Sequence, residues 1–400
     1  MTIMTSDARD TGAGVGERAP RVALYSHDAM GLGHIRRNLA LARALAAGGA
    51  RPDILLLTSA PEAACHALPD RTDVVALPGV AKNARGSYGP RRLSLAGEHL
   101  ARIRADILRA ALEGFAPDVL IVDKHARGLG GELEGALDAL ARRGTRIVLG
   151  LRDVLDAAPA ARRDWRAAGT ARALERWYTD VWVYGDRSVH DPLEGLEVPP
   201  DLRTRVAYTG YLARGRVAPL RGEARERLVV GMVGGGSDGQ ALAHAFARAD
   251  LPAGHRGVLV TGPQMPARDR EDLARLAARR ADLEVRTFVP DGSDLIARAS
   301  AVVAMGGYNT VCEALAAGTP ILVVPRVRPR REQLVRAVAM RRRGLIDALH
   351  PDDLSPAAIE RWLDAPGDPA AGTGNLDGLA TVADLFGALV AAPRRERTVA

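Results

Sequence analysis

MGGYNTVCEALAAGTPILVVP, residues 305–325, spells out one step of a parallel α/β sheet in order. Gly306 and Gly307 open a turn, and an alanine-rich segment follows with helical spacing. Gly318 then stops the helix and Pro320 forbids its continuation. The apolar run 321–324 reads as a buried strand. Thr310 is placed to cap the helix, and Thr310 with Glu313 three residues later has the form of a capping box. Glu313 has a second reading, in which a carboxylate facing the strand ends accepts hydrogen bonds from both hydroxyls of a ribose. Both readings stand on the sequence alone.

The same alternation of strand and helix runs outward in both directions. Toward the C-terminus lies PRVRPRREQLVR, 325–336, where arginines crowd just past a strand. Such a segment suits a diphosphate or another acidic group, or is an Arg-rich surface. Upstream, strands are expected at 228–233, 258–261, 283–289 and 301–305. Between the first of these and a helix at 240–249 stands GGGSDG, 234–239. Four glycines in six positions are a high entropic cost for a bare connection, and a nest of backbone amides around phosphate explains it better. It is not a P-loop, because neither lysine of the chain follows a glycine.

A first alternation precedes this one. Strands are expected at Arg21–Ser26 and at 54–57, 119–122, 147–151 and 181–184, with helices at about 34–47, 100–112 and 132–141. Each half therefore opens with a strand, a glycine-containing turn and a helix. The fold class expected is α/β, two Rossmann-like parallel-sheet domains facing a cleft. The Arg-, Gly- and Pro-rich segment 213–226 is the expected linker. It separates an N-terminal domain, 20–212, from a C-terminal domain, 227–390, with loose tails at 1–19 and 391–400. The helical stretch 376–390 is free to pack on either domain.

Composition bounds the function. Four hundred residues, 47% apolar and 26% charged, describe a globular chain too long for one ordinary core. No apolar run spans a bilayer, and the first 20 residues lack the apolar core of a signal peptide. Cys65 and Cys312 are too few and too far apart for a disulfide framework, so the cytoplasm is the expected compartment. The net charge of +7 comes from a chain in which Lys82 and Lys124 are the only lysines among 55 basic residues. With aromatics at 4%, there is no base-stacking platform, and nucleic acid is not an expected partner.

In open parallel sheets, ligands bind beyond the carboxyl ends of the strands. The first such turn, HDAMGLGHIRR at 27–37, has Gly31 and Gly33 for close backbone approach and a helix start that favours an anion. A plain strand-to-helix turn is the competing reading. His27, Asp28 and His34 tilt it toward chemistry.

The segments 305–336 resemble the C-terminal signature of glycosyltransferase family 28, the MurG-like family. The loop 234–239 is similar to the first C-domain loop of that family, and 31–34 to a shortened form of its N-domain glycine loop. Taken whole, with YSHDAMGLGHIRRNLALARAL, DVLIVDK, LGLRDVLD, VYGD and YTGYL, the chain resembles a group of predicted bacterial glycosyltransferases. The resemblance implies a GT-B fold, a nucleotide-diphosphate sugar bound to the C-terminal domain, and a hydroxyl acceptor on the N-terminal one. It implies transfer with inversion, without a cofactor and without an essential metal. The absence of any D-x-D pair agrees with that last point. UDP is the nucleotide favoured by analogy. The acceptor is open, a lipid-linked compound and a polysaccharide both being compatible, with peripheral contact to an anionic membrane as a further expectation.

Carried over by position, Glu313 would hold ribose, Ser237 and its neighbouring amides would meet the diphosphate, and Gln333 would touch the donor sugar. Gly235, Gly236, Gly262, Gly306, Gly307, Asn309, Thr310, Arg326 and Arg330 complete the expected donor side. His27, Gly31, Gly33 and Lys124 are expected on the acceptor side. Two departures from the family pattern are plain: the N-terminal glycine cluster is shorter, and 326–331 is far more basic. His34 is the expected general base, since imidazole titrates near neutrality and a helix start keeps it neutral. Asp28, and Asp123 with His125, are the rival bases. Two other functions are compatible with the same residues, a nucleotide-sugar epimerase or hydrolase and a non-catalytic nucleotide-sugar-binding protein.

Overall fold

The computed structural model describes residues 18–28, 33–60, 67–82, 88–217 and 225–393. Gly31 and Cys65 lie outside the described residues.

The first half supplies β1 (Arg21–Ser26), β2 (Asp53–Thr58), β3 (Thr72–Ala76), the hairpin β4 (Val80–Lys82) and β5 (Tyr88–Pro90), β6 (Val119–Asp123), β7 (Arg146–Arg152), β8 (Asp180–Tyr184) and β9 (Val206–Tyr208). The second supplies β10 (Leu228–Met232), β11 (Arg256–Val260), β12 (Leu283–Arg286), β13 (Ala301–Ala304), β14 (Ile321–Val323) and β15 (Asp347–Ala348). Apart from the hairpin they form two sheets, ordered β3-β2-β1-β6-β7-β8-β9 and β12-β11-β10-β13-β14-β15. Every pairing in both sheets is parallel. Central strands such as β6, Val-Leu-Ile-Val-Asp, are buried along their whole length. Both faces are covered by helices, which is why such strands read as unbroken apolar runs and not as alternations. Two Rossmann-like sheets facing a cleft make this the GT-B architecture that the sequence leads one to expect.

The strand orders locate the sites. In the first sheet the order reverses between β1 and β6, and in the second between β10 and β13. A crevice opens at each reversal, beyond the carboxyl ends of the strands. At the first stand His27, Asp28 and Asp123; at the second stand the loop 234–239 and the turn Gly306-Gly307.

The two halves share a continuous apolar cluster. Leu39 and Leu45 of helix Gly33–Ala47 belong to the same cluster as Val311 of helix Tyr308–Ala317 and Phe386 of the last helix, Gly378–Ala391. That last helix packs against Gly33–Ala47, so the chain ends on the first half. Each fully buried Leu or Phe there contributes about 1.5–3 kcal/mol.

Local differences from the sequence reading have simple causes. The strand expected at 283–289 ends at Arg286, and Phe288 turns out to solvent, 57% exposed, ahead of Pro290. Thr310 is no cap. The helix begins at Tyr308 with Gly307 as its N-cap and no side-chain cap bond, so Thr310 already lies inside the first turn and no capping box forms with Glu313. Gly318 does close the helix in the left-handed conformation, at φ 63°, bonding back to Ala314 and Leu315.

Candidate active site

The first crevice is built around Asp123, the last residue of β6, which is 2% exposed. Its carboxylate takes the guanidinium of Arg37 through Nε at 3.0 Å and Nη2 at 2.6 Å. It also pairs with Nδ1 of His34. Sequence reasoning set Asp123 and His34 as rivals, and 89 residues separate them. The fold joins them because β6 lies beside β1, from which the helix bearing His34 and Arg37 departs.

Burial works against a charge on Asp123, but Arg37 and then His34 hold its carboxyl well below the usual range. His34 is 20% exposed. Burial lowers its pKa, Asp123 opposes that fall, and the imidazole stays neutral near pH 7. A neutral His34 that donates Nδ1–H to Asp123 leaves Nε2 as a lone-pair base.

His27 packs its ring against His34, with centroids 4.6 Å apart, and against His125 edge-on at 4.5 Å. Burial, reinforced by His34 and His125, keeps His27 neutral, and its buried Nδ1 has no partner among the described residues. Burial, then Lys124, pushes His125 down to about 3. Asp28 is a clip. It accepts from Ser26 Oγ, from Thr58 Oγ1 and from the Ile35 amide at 2.8 Å, so its carboxylate anchors the start of helix Gly33–Ala47. Gly33 is exposed, and its carbonyl accepts from Asn309 Nδ2 at 2.8 Å, which fastens the two crevices edge to edge. Tyr308 adds a second link, donating to the Tyr184 carbonyl at 2.8 Å.

In the second crevice, glycine is required where backbones meet. Gly236 has φ 91°, and a Cβ there would sit 2.2 Å from the Thr261 carbonyl oxygen. Gly262, at φ 79°, is packed against Gly234 and Gly235 in the same way. The turns after β10 and β11 thus lie directly on one another. Ser237 is exposed, its hydroxyl 3.5 Å from Asp238 Oδ1 and its carbonyl accepting from Gln240 Nε2 at 3.1 Å, while a Cβ on Gly307 would meet open space.

Glu313, 3% exposed, carries a partner from each side. Arg36 donates to both oxygens at 2.7 and 2.8 Å, and Arg216 reaches Oε1 at 3.3 Å. Arg216 keeps a buried Nη2 with no partner among the described residues. The arginines past β14 are also engaged: Arg326 with Asp238 at 3.0 Å, and Arg330 with Asp156 at 3.0 Å and with Asp164. The Arg331 amide also bonds Asp156, at 2.9 Å. Gln333 Oε1 accepts the Arg326 amide at 2.8 Å, which fixes the turn between β14 and helix Glu332–Arg342. Residues that sequence reasoning missed are Arg36, Arg37 and Arg152, the last residue of β7, which donates to Glu332 at 2.7 Å. The first two had a signal, since two arginines follow His34 within one helical turn of the expected anion-binding start.

Among the described residues no group of three His, Cys, Asp or Glu is placed to hold a metal ion, and no helix is long and apolar enough to cross a membrane.

Residues 230–365 match the glycosyltransferase family 28 C-terminal domain. A protein described as an uncharacterized glycosyltransferase of Methanosarcina acetivorans is 30% identical over 134 residues, 33% of this chain and 34% of that protein. The match thus spans about a third of that relative's length. Among solved structures, the calicheamicin glycosyltransferase CalG4 superposes with a TM-score of 0.56 at 18% identity, covering 94% of this chain and all of that one. The UDP-GlcNAc 2-epimerase of Neisseria meningitidis, bound to UDP-GlcNAc, superposes with a TM-score of 0.59 at 11% identity, covering 93% and 99%. At such identities the likeness is one of fold. The chain is therefore a two-sheet protein of the GT-B fold whose C-terminal half matches the glycosyltransferase family 28 C-terminal domain.

Proposed function

We propose that this protein is a glycosyltransferase that moves a sugar from a nucleoside-diphosphate donor, with UDP favoured by analogy, to a hydroxyl acceptor. The observation that carries this reading is the His34–Asp123 pair, a neutral imidazole oriented by an ionised carboxylate, facing a glycine-turn crevice in a domain matched to a glycosyltransferase family. The division into an acceptor domain (20–212), a connector (213–226) and a donor domain (227–390), whose last helix returns to pack on the first half, belongs to the proposal, as do a cytoplasmic address and kinship with bacterial members.

His34 Nε2 removes the proton of the acceptor hydroxyl as its oxygen attacks the anomeric carbon. The bond from that carbon to the diphosphate oxygen breaks, and the leaving group takes the electron pair. Negative charge then grows on the diphosphate beside the starts of helices Gln240–Arg248 and Tyr308–Ala317, whose dipoles oppose it. Gly235, Gly236, Ser237, Gly262, Gly306 and Gly307 form the cradle, with Asn309, Thr310 and Gln333 around it. Arg326 and Arg330 meet the phosphates by exchanging their present carboxylate partners. Displacement from one side, with the base opposite the leaving group, inverts the anomeric centre. Asp28 positions the helix that carries His34. Phe288, an exposed ring past β12, offers the nucleobase a stacking face.

Glu313 holds the ribose once Arg36, on its long flexible stem, swings away. Glu313→Ala is expected to weaken nucleotide binding by about 1–3 kcal/mol, while Glu313→Gln, which still bonds hydroxyls, retains most of it. Calorimetric titration of UDP, dTDP and GDP into the folded variants reads this; equal affinity in Glu313→Ala and wild type removes the ribose role.

The function itself is tested with sugar-labelled UDP, dTDP and GDP donors, with and without cell extract. Label leaving the nucleotide only when extract is present, and reappearing in a larger product, is the expected result. The epimerase likeness favours a second reading, and free or epimerised sugar formed without extract is its signature.

A further inference from the structure

Lys124, one of only two lysines in the chain, stands immediately past Asp123. Its backbone is held in the left-handed region at φ 67°, with its N–H bonded to the Gly150 carbonyl at 2.8 Å. The side chain is half-buried, and among the described residues its ammonium makes no hydrogen bond or ion pair. The charges around it are already matched. Arg152, at the end of the neighbouring strand β7, gives Nη2 to Glu332 at 2.7 Å. Arg330 is held by Asp156 and Asp164, and Asp123 by Arg37 and His34. Arg152 nevertheless keeps a buried Nε that has no acceptor among the described residues. Asp123 pairs with Gly150 across β6 and β7, which sets Lys124 and Arg152 one and two steps beyond the same rung. An ammonium and a guanidinium N–H, on adjacent strand ends next to the His34–Asp123 pair, both lack an anion among the described residues.

We propose that Lys124 and Arg152 Nε hold an acidic group, a phosphate or a carboxylate, carried by the acceptor. The inference rests on reading the strand ends of the first sheet as the acceptor side. The donor diphosphate has its own cradle at the second sheet's reversal, whereas Lys124 follows the residue that orients the base. An anion here therefore belongs to the molecule whose hydroxyl His34 deprotonates. Burial, then Arg152, pushes the Lys124 ammonium down to about 8, with Glu332 and Asp123 opposing and Arg330 adding to the fall. His27 and His125, both neutral, face it as well. A bound anion favours the charged ammonium and moves that value upward.

With two lysines, ¹³Cε-lysine labelling gives two side-chain signals, assigned by Lys124→Gln. Inorganic phosphate, and separately acetate, is titrated into protein saturated with whichever of UDP, dTDP and GDP binds best. Saturable movement of the Lys124 signal, a rise of its titration midpoint, and no loss of bound nucleotide are expected, with phosphate and acetate telling the two anion types apart. Displacement of nucleotide by phosphate that is seen in wild type and lost in Lys124→Gln assigns Lys124 to the donor and overturns the proposal, as does a Lys124 signal that neither anion moves. In the labelled-donor assay, Lys124→Gln is expected to lower kcat/KM for acceptor by roughly 10- to 100-fold. Partition of the extract between chloroform–methanol and water separates lipid-borne from soluble acceptors. Wild type that transfers no sugar to any fraction refutes the glycosyltransferase reading, whereas transfer that Lys124→Gln leaves unchanged refutes only the acidic acceptor.

Discussion

His34→Ala lowers turnover by about 10²–10⁴-fold while nucleotide affinity stays near that of wild type. The base acts on the acceptor and does not touch the donor, so a loss confined to turnover is its mark. The pH profile carries the same information. Burial sets the His34 pKa below its ordinary 6.5 although Asp123 pulls it up. The base is active only when neutral, so the acid limb of kcat/KM lies below pH 6.5, displaced in the direction of the lowered imidazole. Asp123→Asn removes the charge that favours the imidazolium, and moves the acid limb to still lower pH while turnover falls. It also strands Arg37, 2% exposed, so its circular dichroism is compared with wild type first. A His34→Ala enzyme at full turnover removes His34 from the mechanism.

Asp153→Ala destabilises the protein by about 3–5 kcal/mol, the cost of leaving one partner of a buried ion pair uncompensated. Arg336, on helix Glu332–Arg342, grips Asp153, just past β7, through two bonds of 2.7 Å, with each side chain 1% exposed. A third donor reaches the Gly306 carbonyl at 3.2 Å. The pair therefore ties the first sheet to the glycine turn of the second. Asp153→Leu with Arg336→Met recovers most of the loss, because two apolar groups leave no charge behind. Guanidinium unfolding of the three proteins measures both effects. A single variant as stable as wild type shows that the pair contributes nothing to the closed arrangement.

Strands written as unbroken apolar runs, and turns written in glycine, were readable from the sequence because both are local requirements. Arg21–Ser26, the helix closed by Gly318, and the glycine turns at 234–239 and 306–307 follow from a few consecutive residues each. The edge strands β9 and β15 are too short to impose a pattern. Thr310 shows the limit of a spacing rule: Gly307 already supplies the helix start, so the residue that fits the capping motif falls one turn too late. The partners of the candidate site are long-range. Nothing near His34 announces Asp123, and nothing near Glu313 announces Arg36, 277 residues away. Such pairs are created by which strand lies beside which, and that order is a property of the whole sheet. The expectation of arginines open to a diphosphate met the same limit, since Asp156 and Asp164 come from the other half of the chain.

The most direct measurement of the account is the anomeric configuration of the transferred sugar. Product from the labelled-donor assay is isolated and its anomeric proton coupling compared with that of the donor. One displacement, with His34 on the face opposite the diphosphate, predicts that an α-linked donor gives a β-linked product. An α-linked product from that donor would mean two displacements or front-side attack, and would contradict the role given to the His34–Asp123 pair.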